Sequence, residues 1–137
     1  MSELVVGYDG SDSSTAALAK AAELAKDLGD SIVLVFGYAP GGYGGGEVPA
    51  QREAVEELGE QVTAKGSEQA KAAGVEYEVE LLNEHADQAL VTVAEKRKAR
   101  MIVVGSHGES PLRGAVLGST PYRLVHASKT PVLVVRP

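Results

Sequence analysis

Two glycine-containing segments in the last third of the chain have the residue types and spacing of a phosphate-binding loop. The first is Gly105-Ser106-His107-Gly108, and nine residues separate it from the second, Gly118-Ser119-Thr120. Glycine has no Cβ and reaches positive φ, so backbone N–H groups beside it can approach an anion closely. The second segment lies where a helix is expected to begin, with Pro121 in its first turn, and free amides at a helix start also attract anions. The pattern predicts a ligand that carries phosphate.

A second candidate group follows the first apolar run of the chain, which ends at Tyr8. Asp9 could accept hydrogen bonds from ribose hydroxyls, or hold Mg²⁺ through water, since this ion takes carboxylate and phosphate oxygens. An aspartate at such a position equally suits an Asx turn or a helix cap. If the strands that precede Asp9 and the first glycine segment are neighbours in a parallel sheet, both strand ends converge on one crevice.

His107 is a further candidate, because it lies inside the first glycine segment. Its imidazole could donate to a phosphate or a ribose, or it could be a solvent-facing loop histidine. Ser106 lacks the G-x-S-x-G surroundings of a nucleophile elbow, so a hydrolase triad is not indicated. The chain contains no G-x-x-x-x-G-K-[ST] motif, and Arg113 is the arginine that lies near enough to act on a phosphoryl group. A Walker-type NTPase is therefore not supported.

Hydrophobic periodicity predicts the scaffold that positions these residues. Apolar runs bounded by turn residues predict strands, which we place at residues 4–8, 32–36, 75–81, 101–104 and 132–135. Apolar residues at helical spacing predict helices over about 13–28, 50–73, 90–98 and 121–127, and residues 39–49 predict a glycine-rich loop. Strict alternation of strands and helices predicts a three-layer α/β/α fold with a parallel sheet. The alternating glutamates of 75–81 predict an edge strand.

Composition predicts a single domain over residues 1–137 and excludes several classes of function. Hydrophobic residues make up 44% and charged residues 23%, as in a soluble globular protein, and no apolar stretch reaches the ~20 residues of a membrane span. The absence of cysteine excludes disulfides and thiolate chemistry. A net charge of -6 argues against nucleic-acid binding. With no secretory pattern in Met1–Leu4, we expect a cytoplasmic protein without membrane or nucleic-acid partners.

Three separated motifs, taken in order, resemble those of ATP-binding universal stress proteins. The two glycine segments match that family's G-x-x-G-x9-G-[ST] pattern. Val6 to Ser11 looks like its opening strand and aspartate, and Thr130 to Val135 looks like its closing strand. The resemblance implies an adenine nucleotide alpha hydrolase-like fold with five parallel strands in the order 3-2-1-4-5. It also implies, as in many members, a homodimer in which the last strands of two subunits pair, here through Val132–Val135.

The resemblance further implies that one set of residues surrounds ATP and Mg²⁺: Tyr8, Asp9, Gly37, Gly105, His107, Gly108, Gly118, Ser119 and Thr120. Asp9 would lie toward the ribose, the metal or the adenine, and the backbone around Gly37 near the adenine. The first glycine segment would lie around ribose and phosphate, and the second would hold the phosphates. Pro121, where relatives often have a hydroxyl or a small residue, removes one donor from this group.

Three functions follow from these observations and stay open at this point. The first is a stress-response regulator or sensor that binds ATP with Mg²⁺ and is at most a slow ATPase. The second is an interaction module of the same fold, which binds no nucleotide and uses the helix over 50–73 and the preceding glycine-rich loop. The third is an enzyme with His107 as acid or base. A backbone cradle recognises phosphate more than base, so AMP and cyclic AMP stay open beside ATP.

Overall fold

The computed structural model describes residues 1–38, 49–107 and 119–137, and these residues form five strands and four helices in strict alternation. The strands are β1 (Glu3–Gly7), β2 (Ser31–Gly37), β3 (Tyr77–Leu82), β4 (Met101–Gly105) and β5 (Val132–Val135). The helices are α1 (Asp12–Leu28), α2 (Pro49–Ala73), α3 (Ala86–Arg97) and α4 (Ser119–Ala127). None of the helices in these ranges has the length and the apolar character that crossing a membrane requires.

The strands form one parallel sheet in the order β3-β2-β1-β4-β5. This confirms the predicted α/β fold class, the strand order that the resemblance implied, and the position of β3 at an edge. β1 and β4 are neighbours, with Val6 opposite Val103, and the order of the strands reverses between them. In doubly wound sheets a crevice opens at the carboxyl ends of two such strands, and ligands bind there.

Two apolar layers attach the helices to opposite faces of the sheet. Leu4 and Val6 of β1 pack under α1 and α2, while Val5 between them packs against α3 and joins the layer that holds Leu124 of α4. Successive side chains of a strand point to opposite faces, yet Leu4, Val5 and Val6 are all fully buried. The continuous apolar runs therefore mark central strands that are covered on both sides.

The helix boundaries differ from the sequence prediction mainly at the start of α3 and α4. α1 begins one residue early, after Ser11, whose Oγ accepts the Ser14 N–H at 3.1 Å as an N-cap. α3 begins at Ala86, ahead of the apolar face that predicted it. α4 begins at Ser119, so Pro121 is its third residue, within the first turn where an N–H has no intrahelical partner.

Ion pairs join the end of α3 to two strands of the sheet. Arg97 contacts Glu3 of β1 at 2.8 Å and Glu80 of β3 at 2.6 Å, and so crosses the intervening β2. Burial opposes ionisation of Glu80, but hydrogen bonds from Arg97 and Lys96 outweigh it and lower the pKa of the carboxyl. A hydrogen bond from Arg100 likewise lowers the pKa of Asp30.

Candidate functional site

The neighbouring ends of β1 and β4 bring two of the predicted site segments together. The Tyr8 N–H donates to the Val35 carbonyl at 3.1 Å, which extends the pairing of β1 with β2 by one residue. The Ser106 N–H donates to the Val135 carbonyl at 2.9 Å, which extends the pairing of β4 with β5 in the same way. Beyond these bonds the chain leaves the sheet on both strands, and Asp9 and His107 follow directly.

Asp9 closes a turn between β1 and α1. Its Oδ1 accepts the Ser11 N–H at 2.9 Å, and Gly10 between them has a φ of +83°, where glycine is favoured. The Asx turn that sequence left open is therefore present. A carboxylate has about four acceptor sites, so the turn leaves Asp9 able to accept from a ligand as well. The two alternative roles of Asp9 are compatible.

The first turn of α1 contacts both strand ends. The Asp9 N–H donates to Ser14 Oγ at 3.3 Å, and the His107 N–H donates to Ser13 Oγ at 3.3 Å. Both serines are buried, with 0% of Ser13 and 4% of Ser14 exposed. Serine at the start of a helix is commonly a cap, and contact with the two strand ends is a second role of this pair. The signal that could have found their second role is the occurrence of consecutive small hydroxyl residues directly after a strand end.

His107 is half-buried beside Ser106, and its Nδ1 lies 3.1 Å from Ser106 Oγ. When the Ser106 hydroxyl donates to Nδ1, the neutral imidazole carries its proton on Nε2. Nε2 is then a donor for a phosphate or ribose oxygen. A binding role for His107 stays a prediction, and this tautomer is the one that suits it.

Two glycines that sequence analysis assigned to ligand contact have a packing role. A Cβ on Gly105 would lie 2.6 Å from the carbonyl carbon of Ser13, so the glycine lets α1 approach the end of β4. A Cβ on Gly37 would lie 2.8 Å from the carbonyl oxygen of Glu84 and 2.8 Å from Cα of Ala86. Gly37 thus lets the end of β2 pack against the connection between β3 and α3. Each glycine is explained by these contacts without a ligand.

The remaining predicted site residues lie in different settings. The ring of Tyr8 is 5% exposed and packs in the core against Gly66 of α2, so its side chain belongs to the scaffold. Thr120 is half-buried in the first turn of α4. The backbone of Ser119 starts that helix, while its side chain lies outside the described part of the structure. The predictions for Gly108 and Gly118 also lie outside the described residues.

The donor set suits a nucleotide with a magnesium ion. Asp9 supplies one carboxylate, and Mg²⁺ in nucleotide sites is usually held by one or two carboxylates together with phosphate oxygens and water. Within residues 1–38, 49–107 and 119–137 no cluster of three or more histidine and carboxylate side chains could hold a metal ion by itself. A magnesium ion at Asp9 would therefore be held jointly with the phosphates.

Comparison with known proteins gives one consistent result. A model of the Universal stress protein family matches residues 1–136. A universal stress protein of Methanocaldococcus jannaschii is 30% identical over 138 residues, covering 98% of this chain and 81% of that protein. The structure of a universal stress protein in complex with cAMP superposes with a TM-score of 0.76 at 30% identity, covering 98% of this chain and 96% of that one.

A further solved structure is similar over the same extent. The universal stress protein from Archaeoglobus fulgidus in complex with dAMP has a TM-score of 0.74 and 25% identity, and 98% of each chain is covered. The fold described above agrees with these matches. This chain belongs to the universal stress protein family.

Proposed function

We propose that this chain binds ATP with Mg²⁺ in the crevice between the ends of β1 and β4 and acts as a stress-response regulator. The observation that carries the proposal is the convergence of Asp9 and His107 on the first turn of α1, at the point where the strand order reverses. Solved relatives named as complexes with cAMP and dAMP support an adenine nucleotide as the ligand class.

The roles of the residues follow from their chemistry. Asp9 accepts from ribose hydroxyls or shares the metal ion with phosphate oxygens. His107 donates from Nε2 to a ribose or phosphate oxygen. Gly108 lies around ribose and phosphate, and Gly118, Ser119 and Thr120 hold the phosphates with backbone amides and hydroxyls, roles that rest on the sequence pattern. The magnesium ion, when bound, neutralises phosphate charge.

Binding is a better description of this site than fast catalysis. Phosphoryl transfer requires positioned lysine or arginine groups on the transferred phosphate. The side chains that the described part of the crevice brings together, Asp9, Ser13, Ser106 and His107, include neither type. We therefore propose at most a slow ATPase. A single domain over residues 1–137 and a cytoplasmic location belong to the same proposal as predictions.

A homodimer through β5 is part of the proposal. β5 pairs with β4 on one side and forms an edge of the sheet on the other, and Val132–Val135 are only half-buried. On α4, Tyr122 and Val125 are 59% and 51% exposed. An open strand edge together with exposed apolar residues suits pairing with a second copy. Sedimentation equilibrium should give twice the mass of one chain, and a monomer at all concentrations would contradict this part.

Calorimetric titration with ATP, ADP, AMP and cyclic AMP, each with and without Mg²⁺, tests nucleotide binding. Asp9→Asn keeps the acceptor oxygen of the turn and removes the negative charge, and it should weaken ATP binding about 10- to 100-fold, as for one charge-assisted hydrogen bond. Asp12→Asn is the matched control, because Asp12 is an exposed residue of the same helix start. It should bind like wild type.

The opposite results would contradict nucleotide binding at this site. One such result is the absence of a heat signal with every nucleotide at millimolar concentration. The other is the same ATP affinity for wild type and Asp9→Asn. The interaction module then becomes the better interpretation. One observation favours that module as second candidate: Leu58 on α2 is an apolar side chain with 54% of its surface exposed.

A further inference from the structure

We propose that the outer edge of β3 binds an extended basic segment of another protein as an added strand. β3 stands first in the order β3-β2-β1-β4-β5, so it pairs with β2 on one side, and the described residues place no strand on its other side. A strand in this position can pair with an incoming peptide through its main chain. The surface lies apart from the crevice and from α2, so the inference does not depend on the proposed function.

The register of β3 shows which of its main-chain groups an added strand can reach. The Glu76 carbonyl accepts from the Ile32 N–H at 3.0 Å, and the Leu82 carbonyl accepts from the Tyr38 N–H at 2.9 Å. Successive residues of a strand direct these groups to alternate sides, so the even-numbered residues of β3 bond to β2. The N–H and C=O groups of three residues therefore point away from β2: Tyr77, Val79 and Leu81.

The side chains on the α3 face of this edge select the charge of the partner. Glu76 is exposed and makes no ion pair with any other described residue. Glu78 contacts Arg97 of α3 at 2.6 Å, yet 62% of the Glu78 side chain stays exposed. Opposite charges on neighbouring strands attract each other. Basic residues at every second position of an added strand would therefore lie beside these carboxylates.

A recess at the start of β3 can receive one of these basic side chains. Its volume is about 380 Å³, and it is lined by Glu3, Ser31, Val75, Glu76, Tyr77 and Glu78. Arg97 contacts Glu3 and Glu78, so Glu76 is the carboxylate of this recess that an added cation would pair with. Lysine and arginine can bury an aliphatic stem while the charged end stays beside a carboxylate.

The α2 face of the same edge is apolar, which completes the pattern that a partner must match. Tyr77 packs against the core on this face, and Val79, two residues later in the same strand, is 37% exposed. The partner should therefore alternate basic and apolar residues. A second copy of β3 does not fit, since its glutamates would lie beside Glu76 and Glu78, and like charges on adjacent strands repel.

The first experiment adds a peptide of about eight alternating lysine and valine residues, an ordinary strand length, and follows amide hydrogen exchange of the wild-type protein by NMR. With saturating peptide, the N–H groups of Tyr77, Val79 and Leu81 should exchange at least about tenfold more slowly, because each gains a partner. The N–H groups of Glu78 and Glu80 are the internal control. They already bond to β2 and should change less.

Two charge reversals test the selection of a basic partner. Glu76→Lys should weaken binding of the alternating peptide about three- to tenfold, because an attractive cross-strand pair becomes repulsive. Glu68→Lys is the matched control, since Glu68 is an exposed glutamate of α2 and its reversal changes the net charge equally. This variant should bind within about twofold of wild type, because salt screens distant surface charges. A peptide with the same lysines and valines in two blocks should bind at least about threefold more weakly than the alternating one.

Three results would overturn strand addition at β3. The first is unchanged exchange of the three outward amides at millimolar peptide. The second is equal peptide affinity of Glu76→Lys and Glu68→Lys. The third is equal binding of the block and the alternating peptides, which would show general attraction to an acidic surface. Nucleotide titration of the same wild-type protein tests the proposed function separately, so either can fail while the other stands.

Discussion

Replacing Gly105 by alanine should destabilise the fold by about 3 kcal/mol, because the new Cβ would meet the backbone of α1. It would lie 2.6 Å from the carbonyl carbon and 2.7 Å from the Cβ of Ser13, about 1 Å inside the usual contact distance of two carbon atoms. Relief requires α1 to move away from β4. Overpacking typically costs about 1–3 kcal/mol, and contact with backbone rather than a side-chain tip places this case at the upper end.

Gly7→Ala is the matched control for this prediction. Gly7 ends β1 as Gly105 ends β4, but its Cβ would lie 3.1 Å from Leu90 Cδ1 and 3.1 Å from Val104 Cγ1, so only side-chain atoms have to shift, and only slightly. We expect a loss of about 1 kcal/mol, at the lower end of the range for overpacking. Urea unfolding followed by far-UV circular dichroism gives both free energies of unfolding. If Gly105→Ala loses no more than Gly7→Ala, the close contact between α1 and β4 is refuted.

Two further predictions concern Asp30, which directly precedes β2, and Lys98, which directly follows α3. Asp30 accepts from Arg100 at 2.6 Å and from the Ser2 N–H at 3.0 Å, and its pKa is lowered. The charged form therefore stabilises the fold above the unfolded pKa of about 3.9, and this stabilisation is lost as pH falls through the lower folded pKa. Asp30→Asn should lose about 1–3 kcal/mol at neutral pH, and the difference from wild type in urea unfolding should shrink below about pH 4. Lys98 follows α3 with a φ of 53°, so Lys98→Gly should stabilise by about 0.5–1 kcal/mol and raise Tm, whereas Lys98→Ala should not.

Most of the scaffold could be predicted because its signals are local. The runs that contain Val5, Val33 and Ile102 are apolar throughout, and in the structure these three side chains pack on one face of the sheet while their neighbours in each strand pack on the other. Continuous runs of this kind distinguish central parallel strands from the half-exposed β3. Which strands lie side by side is a different matter. Periodicity is the same for any order of the strands, so the pairing of β1 with β4 was available only through the resemblance.

The candidate site was predictable where it depends on residue type and not where it depends on distant packing. Asp9 after β1 is visible in the sequence, which left open the Asx turn that the structure shows between Asp9 and Ser11. The role of Ser13 is not visible, because its partner His107 lies 94 residues away. Gly37 shows the same limit of local signals. The residues that leave no room for a Cβ there, Glu84 and Ala86, follow β3, whereas Gly37 ends β2.

Glycine at a strand end has two physical explanations, and at Gly105 both point to the same geometry. Close approach of an anion and close approach of a helix each require that a Cβ be absent. The structure shows that the helix occupies the space beside Gly105, which brings the hydroxyl of Ser13 to the His107 amide. The glycine therefore serves the site through α1, by allowing the serines to reach both strand ends. A loss of nucleotide affinity in Gly105→Ala would accordingly report displacement of α1, whereas direct contact with phosphate is better tested in the segment that follows His107.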